Sequence, residues 1–186
     1  LTELSLTCHE YGLYLFMDGA RLGYGLMAKD NDLTLQDIAD LCDVFYIGGT
    51  KVGALFGEAV VITNDNLKKD FRYSIKQNGG MLAKGRLLGI QFMTLFEDGL
   101  YYELSKHAVS LAMKIRDAFV AKGYDFLVDS PTNQQFPILP DDVIERLAED
   151  FKFSVWKKID DGHTAVRFCT SWATAPEAVD ALVAAL

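Results

Sequence analysis

Four side chains stand out for the chemistry they could do: the carboxylate of Asp18, the amine of Lys51 and the guanidinium groups of Arg21 and Arg167. Asp18 opens Asp18-Gly19-Ala20-Arg21, which cuts off the apolar run 13–17, and Lys51 closes Gly48-Gly49-Thr50-Lys51, which cuts off the apolar run 44–47. With a net charge of -8 the chain as a whole has no positive field, so any anionic ligand must meet a local cationic site. Taken singly, each has an ordinary reading. Asp-Gly is a common turn, Lys51 a solvated surface cation, and Arg167 one half of an ion pair. The glycine-rich run lacks the Gly-x-x-x-x-Gly-Lys-Ser/Thr spacing, so it is no P-loop.

The elements around these residues give them a common place. The runs 13–17 and 44–47 are short and nearly continuous in apolar residues, the pattern of strands buried on both faces. Thr34 with Asp37 forms a capping-box signature, and Leu35, Ile38, Leu41 and Cys42 supply a helix face between the two runs. A third strand is predicted over 59–62, and Leu67, Phe71, Ser74 and Ile75 mark another helix. This alternation predicts an α/β unit with a mostly parallel sheet covered by helices. Ligands of such sheets bind beyond the carboxyl ends of strands, so Asp18 and Lys51 could face one crevice although 33 positions separate them.

Residues 87–96 are apolar nearly all round and read as a buried helix. Glu97-Asp98-Gly99 is then a boundary, dividing the chain into 1–97 and a small α+β unit over 98–186. In the second part Leu104, Ala108, Leu111, Ile115 and Phe119 form a helical stripe that Gly123 ends. Strands are predicted over 124–128, 135–139, 153–156 and 165–169, with a helix over 141–151 and Pro137 on an edge. Thr174-Ala175-Pro176-Glu177 reads as a capping box with proline at the helix start. Val166 and Phe168 point to one face of their strand, so Arg167 points to the other, away from the core.

Composition sets the outer limits. With 186 residues, 50% of them apolar and 24% charged, the chain is in the ordinary globular range. An acidic balance of 26 Asp and Glu against 18 Lys and Arg lacks the positive field that nucleic acid requires. No apolar run approaches the roughly 18 residues that span a bilayer, and no secretory signal pattern opens the sequence. Cys8, Cys42 and Cys169 are too few and too scattered for a disulfide framework or a metal site, which fits a reducing cytoplasm. Because Leu1 already belongs to a helical pattern with Leu4, Cys8 and Tyr11, the chain is expected to be cut from a longer one and not to act as an independent enzyme.

The unaltered Asp18-Gly19-Ala20-Arg21, the Gly-rich turn ending in Lys51, Gly79-Gly80-Met81 and the strand 165–170 resemble pyridoxal-phosphate enzymes of the aspartate-aminotransferase fold type. Within them, the chain resembles the threonine aldolase and β-eliminating lyase group, and the resemblance covers nearly the whole chain. The resemblance makes residues 1–97 the C-terminal part of the large cofactor-binding domain and implies pyridoxal 5'-phosphate as cofactor. Lys51 would form the Schiff base with it and Asp18 would pair with its ring nitrogen. A buried carboxylate there keeps the ring protonated and able to take in electrons from a breaking bond. Arg21 and Arg167 would hold the substrate carboxylate by forked contacts, with Arg21 also near the cofactor.

The activity implied is cleavage of the Cα–Cβ bond of a β-hydroxy-α-amino acid such as threonine, giving glycine and an aldehyde, in a homodimer or homotetramer. Transamination or β-elimination would use the same contacts, and a non-catalytic or truncated relative is the reading from another class. Two departures from the family stand in the sequence. Thr50-Lys51-Val52 replaces its usual Ser-Lys-Gly, and Leu82 takes the place of an arginine that reaches the partner subunit's phosphate, with Lys76 and Lys84 nearby but out of register. The phosphate-cradling turn and the residue stacked on the ring are expected to precede Leu1. His9, His107 and His163 read as structural, and no metal site is expected.

Overall fold

The computed structural model describes residues 1–186. They divide into two compact units, Leu1–Leu26 with Asn31–Tyr101, and Met27–Asp30 with Tyr102–Leu186. No helix is long and apolar enough to cross a membrane.

In the first unit, α1 (Thr2–Glu10) turns inward at Ser5, whose hydroxyl donates to the Leu41 carbonyl at 2.6 Å, while Leu4 and Leu6 stay exposed. The strand expected over 13–17 is only β1 (Phe16–Met17), and it is not buried on both faces, since Leu13, Tyr14 and Phe16 are exposed. The reason is its place: β1 is an edge of the sheet and pairs with one neighbour alone. A short helix α2 (Leu22–Leu26) follows the Asp18 turn. Helix α3 (Leu35–Leu41) starts with the predicted capping box, Thr34 and Asp37 each accepting from the other's backbone. Strand β2 (Val44–Gly48) runs parallel to β1, with Phe16 opposite Val44, and antiparallel to β3 (Glu58–Ile62), with Gly48 opposite Glu58.

The three-stranded sheet is therefore mixed within this chain, not mostly parallel. Residues 49–57 are too few for the crossover of a dozen or more that a parallel neighbour needs. Helix α4 (Phe71–Gln77) precedes Gly79-Gly80-Met81, and α5 (Arg86–Phe96) follows it. The expectation that 87–96 is a buried helix fails. Leu95 is buried, but Leu87, Ile90 and Met93 are exposed, because an all-round apolar pattern reports composition and not the number of neighbours. Asp98 at φ 52° and Gly99 at φ 74° break the chain's course before α6 (Leu100–Ala121).

In the second unit, α6 buries Ala108, Leu111, Ile115 and Phe119 along the predicted stripe, and Gly123 with φ 82° follows its end. The sheet is built from β4 (Gln134–Gln135), β5 (Ile138–Pro140), β6 (Ser154–Lys158) and β7 (His163–Cys169), with α7 (Asp141–Ala148) after β5 and α8 (Pro176–Ala184) last. β7 is central and antiparallel to the other three. Residues 124–128 form no strand, only a bridge from Phe126 to Pro137. The strand expected over 135–139 is split at Phe136 and Pro137, since proline has no N–H for the ladder, and Pro137 is fully buried at that break. The capping box expected at Thr174 is also absent: Ala175 caps α8 without a side-chain bond, and Thr174 Oγ1 instead accepts the Ser171 amide at 2.8 Å. Phe119, Leu139, Leu147, Val166 and Leu182 form the centre of the core, each worth roughly 1.5–3 kcal/mol of apolar burial.

Candidate active site

Two turns of the first unit are pressed against each other. The Gly48 amide donates to the Gly19 carbonyl at 2.9 Å. A Cβ on Gly19 would lie 1.6 Å from the Tyr46 carbonyl oxygen, and one on Gly48 would lie 2.4 Å from that of Ala20. Only glycine lets the backbones approach so closely, so the glycines of both motifs exist to join the turn carrying Asp18 to the turn carrying Lys51. Lys51 sits in a 3-10 turn, Thr50–Val52, which Glu58 of β3 braces: its Oε2 accepts the Gly49 amide at 2.7 Å and its Oε1 accepts the Thr50 hydroxyl at 3.3 Å.

Asp18, Arg21 and Lys51 thus lie in one neighbourhood. The Asp18 carboxyl is exposed in this chain, not buried as the resemblance implies, and its Oδ1 accepts the Tyr46 hydroxyl and, at 3.0 Å, the Ala20 amide. These hold it below the usual carboxylate range, Tyr46 first and Ala20 second, with the charges of Lys51 and Arg21 adding and desolvation opposing. The same bond pushes the Tyr46 phenol up. No hydrogen bond or ion pair engages the Lys51 amine or the Arg21 guanidinium, so both cations remain available to a ligand.

Arg167 belongs to the second unit. It points to the face of β7 opposite Val166 and Phe168, as alternation predicts, and its guanidinium lies 4.9 Å from the centroid of the Trp156 ring. Its only hydrogen-bond partners are neutral, Gln134 Oε1 at 3.3 Å and Ser154 Oγ at 3.4 Å, and its buried Nε has none. It is therefore not one half of an ion pair.

Other sequence candidates take structural places. His9 pairs with Asp43, His107 meets the Thr174 carbonyl at 2.8 Å, and His163 pairs with Asp160 in a turn. No cluster of His, Cys, Asp or Glu could hold a metal ion. Leu82, Lys76 and Lys84 are exposed. Tyr46, Tyr24 and Tyr101, which the sequence does not single out as site residues, also bear on these two turns. The Tyr24 hydroxyl donates to the Lys51 carbonyl, and the Tyr101 hydroxyl donates to that of Gly48 at 3.1 Å. The one available signal was a polar tip on an aromatic ring at an inward position.

Among solved structures, the neighbours share the fold of the pyridoxal-phosphate-dependent transferases. Serine palmitoyltransferase of Sphingomonas wittichii covers 100% of this chain and 49% of its own at 13% identity and a TM-score of 0.70, a likeness of fold alone. A threonine aldolase of Leishmania major is 46% identical with a TM-score of 0.96, over 98% of this chain and 54% of that one. A family profile described as beta-eliminating lyase matches residues 1–136, and the chain belongs to that family. The low specificity L-threonine aldolase of Pseudomonas sp. (strain NCIMB 10558) is 33% identical over 99% of this chain and 53% of its own length. The chain spans about half the length of the curated relatives it matches.

Proposed function

We propose that the chain carries the amine, the ring-facing carboxylate and the carboxylate clamp of a pyridoxal-phosphate-dependent lyase that cleaves threonine, or a similar β-hydroxy-α-amino acid, into glycine and an aldehyde. The observation that carries this reading is the joining of the Asp18 turn to the Lys51 turn through Gly19 and Gly48. The names of the Leishmania and Pseudomonas relatives support the aldolase reaction over its alternatives.

The groups present suit the cofactor. Asp18 keeps Oδ2 open for an N–H donor while Oδ1 is engaged, and Lys51 and Arg21 offer unpaired cations to an anionic, aldehyde-bearing ring. Pyridoxal phosphate, when bound, supplies a carbonyl for the substrate amine and a conjugated ring that accepts the electrons of the breaking bond. Lys51 Nζ would hold that carbonyl until substrate arrives. Asp18, ionised at neutral pH, would keep a proton on the nitrogen facing Oδ2. Arg21 and Arg167 would grip the substrate carboxylate in forked contacts, and the Trp156 ring would fix the plane of the Arg167 fork. That grip would orient the Cα–Cβ bond for cleavage. As the bond breaks, the β-hydroxyl gives up its proton, the aldehyde leaves, and Cα takes a proton to become glycine.

The same reading makes residues 1–97 part of the cofactor-binding domain and 98–186 a smaller domain, in a cytoplasmic homodimer or homotetramer that binds neither nucleic acid nor membrane. Borohydride reduction with pyridoxal phosphate, followed by peptide mapping, is expected to place the pyridoxyl label on Lys51 and to lose it in Lys51→Ala. With L-threonine, and with the phosphate-cradling and ring-stacking residues supplied, glycine and acetaldehyde are expected in equal amounts. Label on Lys76 or Lys84 overturns the role of Lys51, and a keto acid or ammonia in place of acetaldehyde means transamination or β-elimination.

A further inference from the structure

Tyr101 is fully buried at 0% exposure and Tyr24 is nearly so at 1%, yet each carries a hydroxyl into the interior. The Tyr101 oxygen accepts the Gly23 amide at 3.1 Å and its proton goes to the Gly48 carbonyl at 3.1 Å. Gly23 is in the first turn of α2, where N–H groups have no partner inside the helix. Gly48 is the last residue of β2, directly before the Lys51 turn. Tyr24, on α2 itself, donates to the carbonyl of Lys51. Both hydroxyls therefore bridge the same two segments, the Asp18 turn with its following helix and the turn that carries Lys51.

We propose that Tyr101 and Tyr24 are positioning residues, a pair of buried hydroxyls that set where the Lys51 amine stands relative to the Asp18 carboxylate. The inference rests on the reading of Lys51 and Asp18 as cofactor-holding groups. Packing alone does not account for the pair, since phenylalanine would fill both places and bury no polar atom. The Tyr101 ring stacks on Phe96, with centroids 5.0 Å apart and planes 17° from parallel, and its hydroxyl is bonded to both Gly23 and Gly48. Groups that must meet one ligand from two separate turns gain most from such a tie, because a displacement of about 1 Å can cost roughly a hundredfold in rate.

The test compares the unaltered protein, Tyr101→Phe, the double variant Tyr24→Phe/Tyr101→Phe, and Ile38→Val, which loses one buried methyl away from the bridge. Each is treated with pyridoxal phosphate and borohydride, and the pyridoxyl label on Lys51 is read by mass spectrometry against that on exposed Lys68. The ratio is expected to fall about tenfold in Tyr101→Phe, further in the double variant, and not at all in Ile38→Val. A ratio unchanged in folded Tyr101→Phe, or lowered as much in Ile38→Val, overturns the inference while the functional reading stands. No label on Lys51 in the unaltered protein overturns both. Hydrogen exchange needs no variant: the Gly23 amide is expected to exchange slowly, and exchange at the rate of an exposed loop amide overturns the bridge.

Discussion

The Tyr46 hydroxyl donates to Asp18 at the same oxygen, Oδ1, that receives the Ala20 amide at 3.0 Å, so one side of the carboxylate is fixed and the other open. The two residues lie 28 positions apart and meet because β1 and β2 run parallel, bringing the residue past the end of one strand beside the third residue of the other. Tyr46 thus aims Asp18 and favours its ionised form.

In Tyr46→Phe the Asp18 carboxyl is expected to titrate at higher pH, toward its ordinary value of 3.8, because the largest lowering influence is gone. The sign follows from linkage. A group whose folded pKa is depressed stabilises the fold above its unfolded pKa and loses that contribution as pH falls through the folded value, so this variant loses it at a higher pH. Carbon-13 titration of the side-chain carboxyl reads the change, and an unmoved midpoint would mean that the bond does not form in solution.

Asp18→Asn is expected to leave pyridoxal phosphate bound and to slow cleavage by at least ~100-fold, since a neutral amide cannot keep the ring nitrogen protonated. Full occupancy with turnover near that of the unaltered protein would reduce Asp18 to a turn residue.

Gly19→Ala is expected to cost at least about 1–3 kcal/mol, because the new methyl meets the Tyr46 carbonyl oxygen, an atom of a paired strand that cannot move aside. The loss should appear in the urea midpoint. The label on Lys51 should fall with it, since the two turns must separate. Unchanged stability would contradict the close approach.

Asp43 is buried at 7% exposure and accepts the Leu15 amide at 2.7 Å, Asn64 Nδ2 at 2.7 Å and His9 Nε2 at 3.0 Å. Burial pushes its carboxyl up, but the bonds from Asn64, His9 and Leu15, with the charge of His9, bring it down to about 2. Its stabilisation, at most about 2 kcal/mol before solvent screening, is complete above about pH 5 and lost as pH falls toward 2. Urea midpoints at several pH values in that range are expected to fall in the unaltered protein and to change less in Asp43→Asn. Equal slopes would show that Asp43 does not carry the acid sensitivity.

Much of the path to the site is legible in sequence because it depends on local physics. A short apolar run cut off by Asp-Gly or Gly-Gly marks a strand end, and Thr34 with Asp37 marks a helix start, within a few residues of chain. Strand alternation placed Arg167 away from the core for the same reason. The tyrosine partners are not local: Tyr101 lies 78 positions from Gly23 and 53 from Gly48, and no spacing rule connects them. Tertiary structure alone also decided which side of α5 stays exposed. Apolar content states that a side chain leaves water where a neighbour exists; which neighbour comes, from which direction, and which carbonyl a buried hydroxyl meets depend on how distant segments pack together.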